Sequence, residues 1–142
     1  MAVTTKTLYD TDFAEWAKET AALMRAGRLN EVDLEHVAEE IEDLAKGDRR
    51  AAASQMRRLM LHLIKQRVQP ERDSASWQAS VASAQLELED ILADSPSLRR
   101  FLADNLEKLY NDAMLLASKE TGILVLPLPK ECPFTLDELL SK

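Results

Sequence analysis

The sequence predicts an all-α protein: a helical bundle of four main helices with a long second helix, an extended proline-containing strap and a short C-terminal helix. Three observations carry this. Only 3 of the 142 residues are glycine and 5 are proline, while Ala, Leu, Glu, Lys and Arg dominate, the residues that lose least on entering a helix. Apolar residues recur at spacings of three and four along most of the chain, the period of a helix face. Gly27, Pro70, Asp94-Ser95-Pro96 and Gly122 interrupt that period at intervals of helical length. The chain reads as a single domain, residues 1–142, able to bury roughly 68% of its unfolded surface without staples.

Residues 1–9 read as loose. A first helix, capped by Asp10 or Thr11, carries Phe13, Trp16, Ala17, Thr20, Leu23 and Met24 on one broad face and ends at Gly27. The short connection that follows makes helices one and two neighbours. The second helix, Asp33 to Gln69, organises the chain. Leu34, Val37, Ala38, Ile41, Leu44 and Ala45 share a stripe that continues in phase through Ala52, Met56, Leu59 and Leu63. Asp33 is its N-cap, and Pro70 stops it. Gly47 is a weak point, because glycine inside a helix costs about 1 kcal/mol relative to alanine. The helix either runs through residues 46–48 or breaks there, and the unbroken phase favours continuity.

Charge on this helix is segregated. From Glu31 to Asp43 the ionised side chains are all acidic, and from Lys46 to Arg67 all but Asp48 are basic. The helix dipole favours that order only within the terminal turns. Blocks this long suggest pairing with another helix of the chain or with an antiparallel second copy; the plain alternative is a solvated face.

The third helix starts after a cap at Ser74 or Ser76 and runs to about Ala93, with Trp77, Val81, Ala84, Leu88, Ile91 and Leu92 inward. Trp77 is expected deep in the core, where its removal costs about 3–5 kcal/mol. Ser95 and Pro96 open a fourth helix reaching about Lys119, with Leu98, Leu102, Leu106, Leu109, Ala113, Leu116 and Ala117 inward and Phe101, Tyr110 and Leu115 broadening the face. The segment Ile123–Leu128 and its following prolines are too apolar to lie bare, so they strap across the bundle or pack on a partner. Thr135 and Glu138 form a capping box for a last helix, Leu136–Leu140.

The net charge of −7 argues against nucleic acid, since phosphate binding needs a basic surface. The basic block from Lys46 to Arg72 lacks the interleaved aromatics of a nucleic-acid face. One cysteine excludes an internal disulfide framework. The N-terminus lacks the apolar core of a signal peptide, and no run approaches the ~20 apolar residues of a membrane span. The expectation is a cytoplasmic protein without membrane contact or cofactor.

Candidate chemistry is sparse. His62 sits in the apolar string MLHLIK and needs a partner for each buried ring nitrogen. It reads first as a core histidine bonded to a carboxylate such as Glu120 or Asp112, and second as a metal ligand or general base. Glu39 and Glu42 place carboxylates on adjoining turns, which with a histidine could hold a metal, or could form an acidic solvated face. In a continuous helix Glu39 and His62 lie about 35 Å apart at about 1.5 Å per residue. Only a break near Gly47 or a second copy could join them. His36, near Glu39 and Glu40, reads as exposed. Cys132, between Glu131 and Pro133, has no evident base.

Several strings together resemble the bacterial family catalogued as domain of unknown function 29: YDTDFAEW at Tyr9–Trp16, RAGRLNEVD at Arg25–Asp33, AEEIEDL at Ala38–Leu44, LHLIKQRVQPER at Leu61–Arg72, SWQASV at Ser76–Val81, SPSL at Ser95–Leu98, KETG at Lys119–Gly122 and PKECPFTLDELL at Pro129–Leu140. The resemblance implies a small helical protein with no established activity. It also implies that Glu39, Glu40, Glu42, His62, Trp77 and Cys132 stand at recurring family positions. Ala51 and Ala53, and Gln66-Arg67, depart from the family pattern.

The leading functional expectation is a protein–protein interaction or assembly module, a homodimer that uses part of the Asp33–Gln69 helix or the Ile123–Leu128 strap. An unidentified protein partner is the second expectation for the same surfaces. The alternative is a metal-dependent or small-ligand enzyme centred on His62 with Glu39 and Glu42.

Overall fold

A computed structural model describes residues 5–141, with side chains from Leu8 onward. All the regular elements among them are helical. They are α1 (Thr5–Thr11), α2 (Phe13–Arg25), α3 (Leu34–Val68), α4 (Ala75–Asp94), α5 (Leu98–Asp104), α6 (Leu106–Thr121) and α7 (Leu136–Leu140). Single 3-10 turns at Leu29–Glu31 and Pro70–Arg72 connect α2 to α3 and α3 to α4. The chain divides into two compact units between Lys46 and Gly47, within α3.

The expected loose start holds a helix from Thr5; residues 1–4 lie outside the described residues. The cap of α2 is Asp12 rather than Asp10 or Thr11, and its carboxylate accepts from the Glu15 N–H at 3.1 Å. Among the described residues of the N-terminal unit, Trp16 and Val32 are the buried hydrophobic ones, and Thr20 and Asp33 are buried too. Tyr9 and Phe13 meet Trp16 at ring-centroid distances of 4.8 and 5.5 Å. The apolar stripe expected to face inward is largely bare here: Ile41 is 61% exposed and Leu44 72%, with Leu34, Met24 and Phe13 exposed as well.

The C-terminal unit holds the main core. Ala52, Met56, Leu59, Met60 and Ile64 of α3 are fully buried together with Ala84, Leu88, Leu102, Tyr110, Ala113, Ala117 and Leu139. The buried stripe of α3 thus includes Met60 and Ile64, and Leu63 is half-buried. Ser74 caps α4 by accepting from the Trp77 N–H at 3.2 Å.

The single fourth helix of the sequence reading is two helices, split at Asn105. Its side-chain amide donates to the Phe101 carbonyl at 2.8 Å, and its own N–H donates to Phe101 and Leu102. A short polar side chain that bonds its own backbone competes with helix continuation. Ser95 and Pro96 form the turn before α5 rather than its cap, because α5 begins only at Leu98. Leu115 and Leu116, expected inward, are exposed. Gly122 closes α6 in the left-handed conformation at φ 75°, where a Cβ would be strained.

The strap is anchored where its carbonyls find donors. Tyr110 donates to Pro129 O at 2.6 Å, and the Ser118 hydroxyl to Ile123 O at 2.6 Å. Glu107 accepts from the Cys132 N–H at 3.1 Å through each carboxylate oxygen. Leu126 and Phe134 reach the core, but Leu124 and Val125 are 90% and 85% exposed. The capping box forms: the Thr135 hydroxyl accepts from the Glu138 N–H at 3.2 Å and donates to its carboxylate at 3.0 Å.

These burials set an expected contrast. Leu88→Ala destabilises by about 2–4 kcal/mol through lost transfer energy and a residual cavity, whereas Leu115→Ala stays within about 0.5 kcal/mol. Urea unfolding of both variants checks it.

Candidate functional site

The residues singled out in the sequence fall on both units. Glu39 and Glu42 belong to the N-terminal unit and are exposed; His62, Trp77 and Cys132 belong to the C-terminal unit and are partly buried. α3 has no break near Gly47.

In the C-terminal unit the feature that collects the candidates is Lys65. It is a buried lysine, 9% exposed, in the last turns of α3. Its ammonium lies 4.7 Å from the centre of the Trp77 ring and 3.8 Å from Glu120. A cation over an indole face is attracted by the ring quadrupole, which offsets part of the desolvation of a buried lysine. Trp77 is therefore only half-buried and acts as a platform for Lys65, not as the sealed core residue expected. His62 shares this environment. Burial pushes its imidazole down first, the charges of Lys65 and Arg58 push the same way, and Glu120 opposes them. His62 Nδ1 is buried without a hydrogen-bond partner among the described residues. The expected pairing with Glu120 is thus electrostatic only, and Asp112 pairs with Arg57 at 3.4 Å instead. Lys65 was not singled out in the sequence, since a lysine at a helix C-terminus ordinarily serves the dipole and solvent.

Cys132 donates weakly to the Phe134 carbonyl at 3.5 Å. Burial pushes its thiol up, with Glu107 and Glu138 adding to the rise. A raised thiol is a poor nucleophile.

The N-terminal unit carries a polar network that the sequence reading missed. The ring of His36 stacks on Tyr9 at 3.9 Å, and its Nδ1 bonds the buried carboxylate of Asp33. Tyr9 donates to Glu40 at 2.6 Å, and this bond is the main cause that pushes its phenol up to about 12. His36, expected exposed, is half-covered. No spacing rule links Tyr9 to residues of α3, so the signal was tertiary. Glu40, unlike Glu39 and Glu42, is the member of the EEIE string with a structural role.

Beside this network runs an apolar groove of about 400 Å³ between α2 and the start of α3, lined chiefly by Trp16, Ala17, Met24, Val37, Ile41 and Leu44. Trp16 Nε1 and Thr20 Oγ1, both buried along it, have no partner among the described residues. A tight groove elsewhere in this unit, lined by Glu39, Glu42, Asp43 and Lys46, is strongly polar. Among the described residues no group of three or more His, Cys, Asp or Glu is arranged to hold a metal ion. No helix among them is long and apolar enough to cross a membrane.

The two histidines are expected to titrate on opposite sides of the ordinary 6.5. The Asp33 bond raises His36, so its stabilising effect is complete below the ordinary value and is lost as pH rises through the raised one. Burial lowers His62, so its effect is present above the ordinary value and is lost as pH falls through the lowered one. Proton NMR titration of wild type and His36→Gln tests this: the resonance that disappears in the variant is the one with the higher midpoint.

No curated protein and no solved structure is significantly similar to the chain. The family model described as Domain of unknown function DUF29 matches residues 8–142, from α1 through the last helix. The chain belongs to that family.

Proposed function

We propose that the chain is a protein–protein assembly module, and that it self-associates through the groove and the Ile41–Leu44 ridge of its N-terminal unit. The observation that carries this reading is the exposure of that unit's large apolar side chains. A unit ending at Lys46 is close to the size below which one hydrophobic core does not sustain a fold unaided. This one keeps Phe13, Met24, Leu34, Ile41 and Leu44 at the surface and, among its described residues, buries the hydrophobic side chains of Trp16 and Val32. Contiguous apolar surface beside an apolar groove marks an interaction site. The aromatic cluster of Tyr9, Phe13 and Trp16 supports it with side chains of the kind enriched at interface anchors.

Sedimentation velocity and light scattering at micromolar concentration test it. The expected result is a dimer for the wild type and a monomer for the doubly substituted Ile41→Asp/Leu44→Asp, with unchanged helix content. Leu124→Ser/Val125→Ser, on the exposed part of the strap, is expected to remain dimeric; loss of association there would move the interface to the strap. A wild type that is monomeric at both low and moderate salt would contradict self-association.

A further inference from the structure

We infer that a proton on His36 regulates the groove. Tyr9 clips α1 to the start of α3 along one groove wall; the clip tightens when His36 is charged and relaxes when it is neutral, so self-association strengthens as pH falls through the titration of His36. This rests on the self-association reading above and adds its control.

The first support is where the network stands. Tyr9, Asp33, His36 and Glu40 all belong to the N-terminal unit. At about 100° per residue, Asp33, His36 and Glu40 fall within about 60° of one another around the helix axis. Glu40 adjoins Val37 and Leu44 on that circumference and lines the groove with them. Tyr9 donates to Glu40 at 2.6 Å and meets the Trp16 ring at 4.8 Å. It therefore touches one lining side chain on α3 and one on α2. The position of α1 thereby fixes two side chains of the groove. A wall ordered before the partner arrives spares the complex the cost of ordering it.

The second support is the ring beneath Tyr9. His36 stacks on the phenol with centroids 3.9 Å apart and planes inclined by 23°. Its Nδ1 bonds the carboxylate of Asp33, a buried residue, and its backbone N–H donates to the same carboxylate at 3.4 Å. A neutral ring can keep the Nδ1 bond. Only the imidazolium makes that bond charge-assisted, gives the buried carboxylate a counter-charge and sets a cation against the Tyr9 face. The other charged groups acting on the ring are Glu39 of α3 and Asp10 of α1, and both favour its charged form. Glu40 reaches it through Tyr9. The Tyr9 phenol, pushed up to about 12 chiefly by its bond to Glu40, keeps its proton and goes on donating while His36 titrates. Histidine is the side chain whose ordinary titration falls near neutral pH, so His36 is the member of this network placed to switch there.

Sedimentation velocity at a series of pH values from about 6 to about 9 tests the control. The wild type is expected to dimerise at least about threefold more tightly at the acid end, with far-UV circular dichroism unchanged. His36→Gln, which cannot carry the charge, is expected to dimerise with the weaker constant at every pH, and His62→Gln to keep the wild-type response. The coupling is reciprocal. In the wild type, therefore, the NMR titration midpoint of His36 is expected to rise with protein concentration across the dimerisation range, a readout that needs no variant. A wild-type constant that does not change with pH, a full response kept in His36→Gln or lost in His62→Gln, or a His36 midpoint independent of concentration overturns the regulation and leaves self-association standing. A wild type that is monomeric at every pH overturns self-association, and the regulation with it.

Discussion

A stripe of apolar side chains on a helix must lie against something, and the stripe of α3 runs the full length of the helix. From Ala52 to Ile64 it is sealed in the core of the C-terminal unit. From Leu34 to Leu44 it is mostly bare. Burial is worth roughly 25 cal/mol per Å² of apolar surface, so the two halves of one helix stand in very different energetic positions. The covered half holds α4, α6 and α7 around it. Near the bare half, Trp16 and Val32 are the buried hydrophobic residues among those described, and a phenol, an imidazole and two carboxylates are arranged in the Tyr9–Glu40 and His36–Asp33 bonds.

Polar contacts in the C-terminal unit follow from the core. Tyr110 is buried to its hydroxyl, which then needs an acceptor and takes the Pro129 carbonyl. That bond holds the strap, and the strap delivers Leu126 and Phe134 to the core. Lys65 lies over Trp77 and near Glu120, and burial pushes the imidazole of His62 down, with the charges of Lys65 and Arg58 pushing the same way. The candidate residues His62 and Trp77 are thus joined through a third residue with a structural role in the arrangement. Cys132 is placed by its backbone N–H on Glu107, and its thiol donates to the Phe134 carbonyl.

Helix positions were legible in the sequence where local signals decide them. Asp33, Pro70, Ser74, Gly122 and Thr135 mark real boundaries, and α3 was placed to within a residue at each end. The split at Asn105 was not legible, because its amide acts through a local bond that competes with an otherwise helical pattern. Exposure was the larger failure. Periodicity places Ile41 and Leu44 inward but does not say whether a neighbour is there to cover them, and its stripe passes over Met60, which is fully buried. Trp77 was placed in the core by residue type, and Lys65 was overlooked for the same reason. The Tyr9–His36 stack joins residues whose association only the tertiary fold reveals.

The central claim is that the N-terminal unit depends on a covering partner copy in a way the C-terminal unit does not. Amide hydrogen exchange at several protein concentrations tests this directly. The account predicts that protection of the amides from Ala38 to Ala45 rises with concentration across the dimerisation range, while that of Leu59 to Ile64 stays constant. Protection of Ala38 to Ala45 that is independent of concentration, in a range where the protein dimerises, would contradict it.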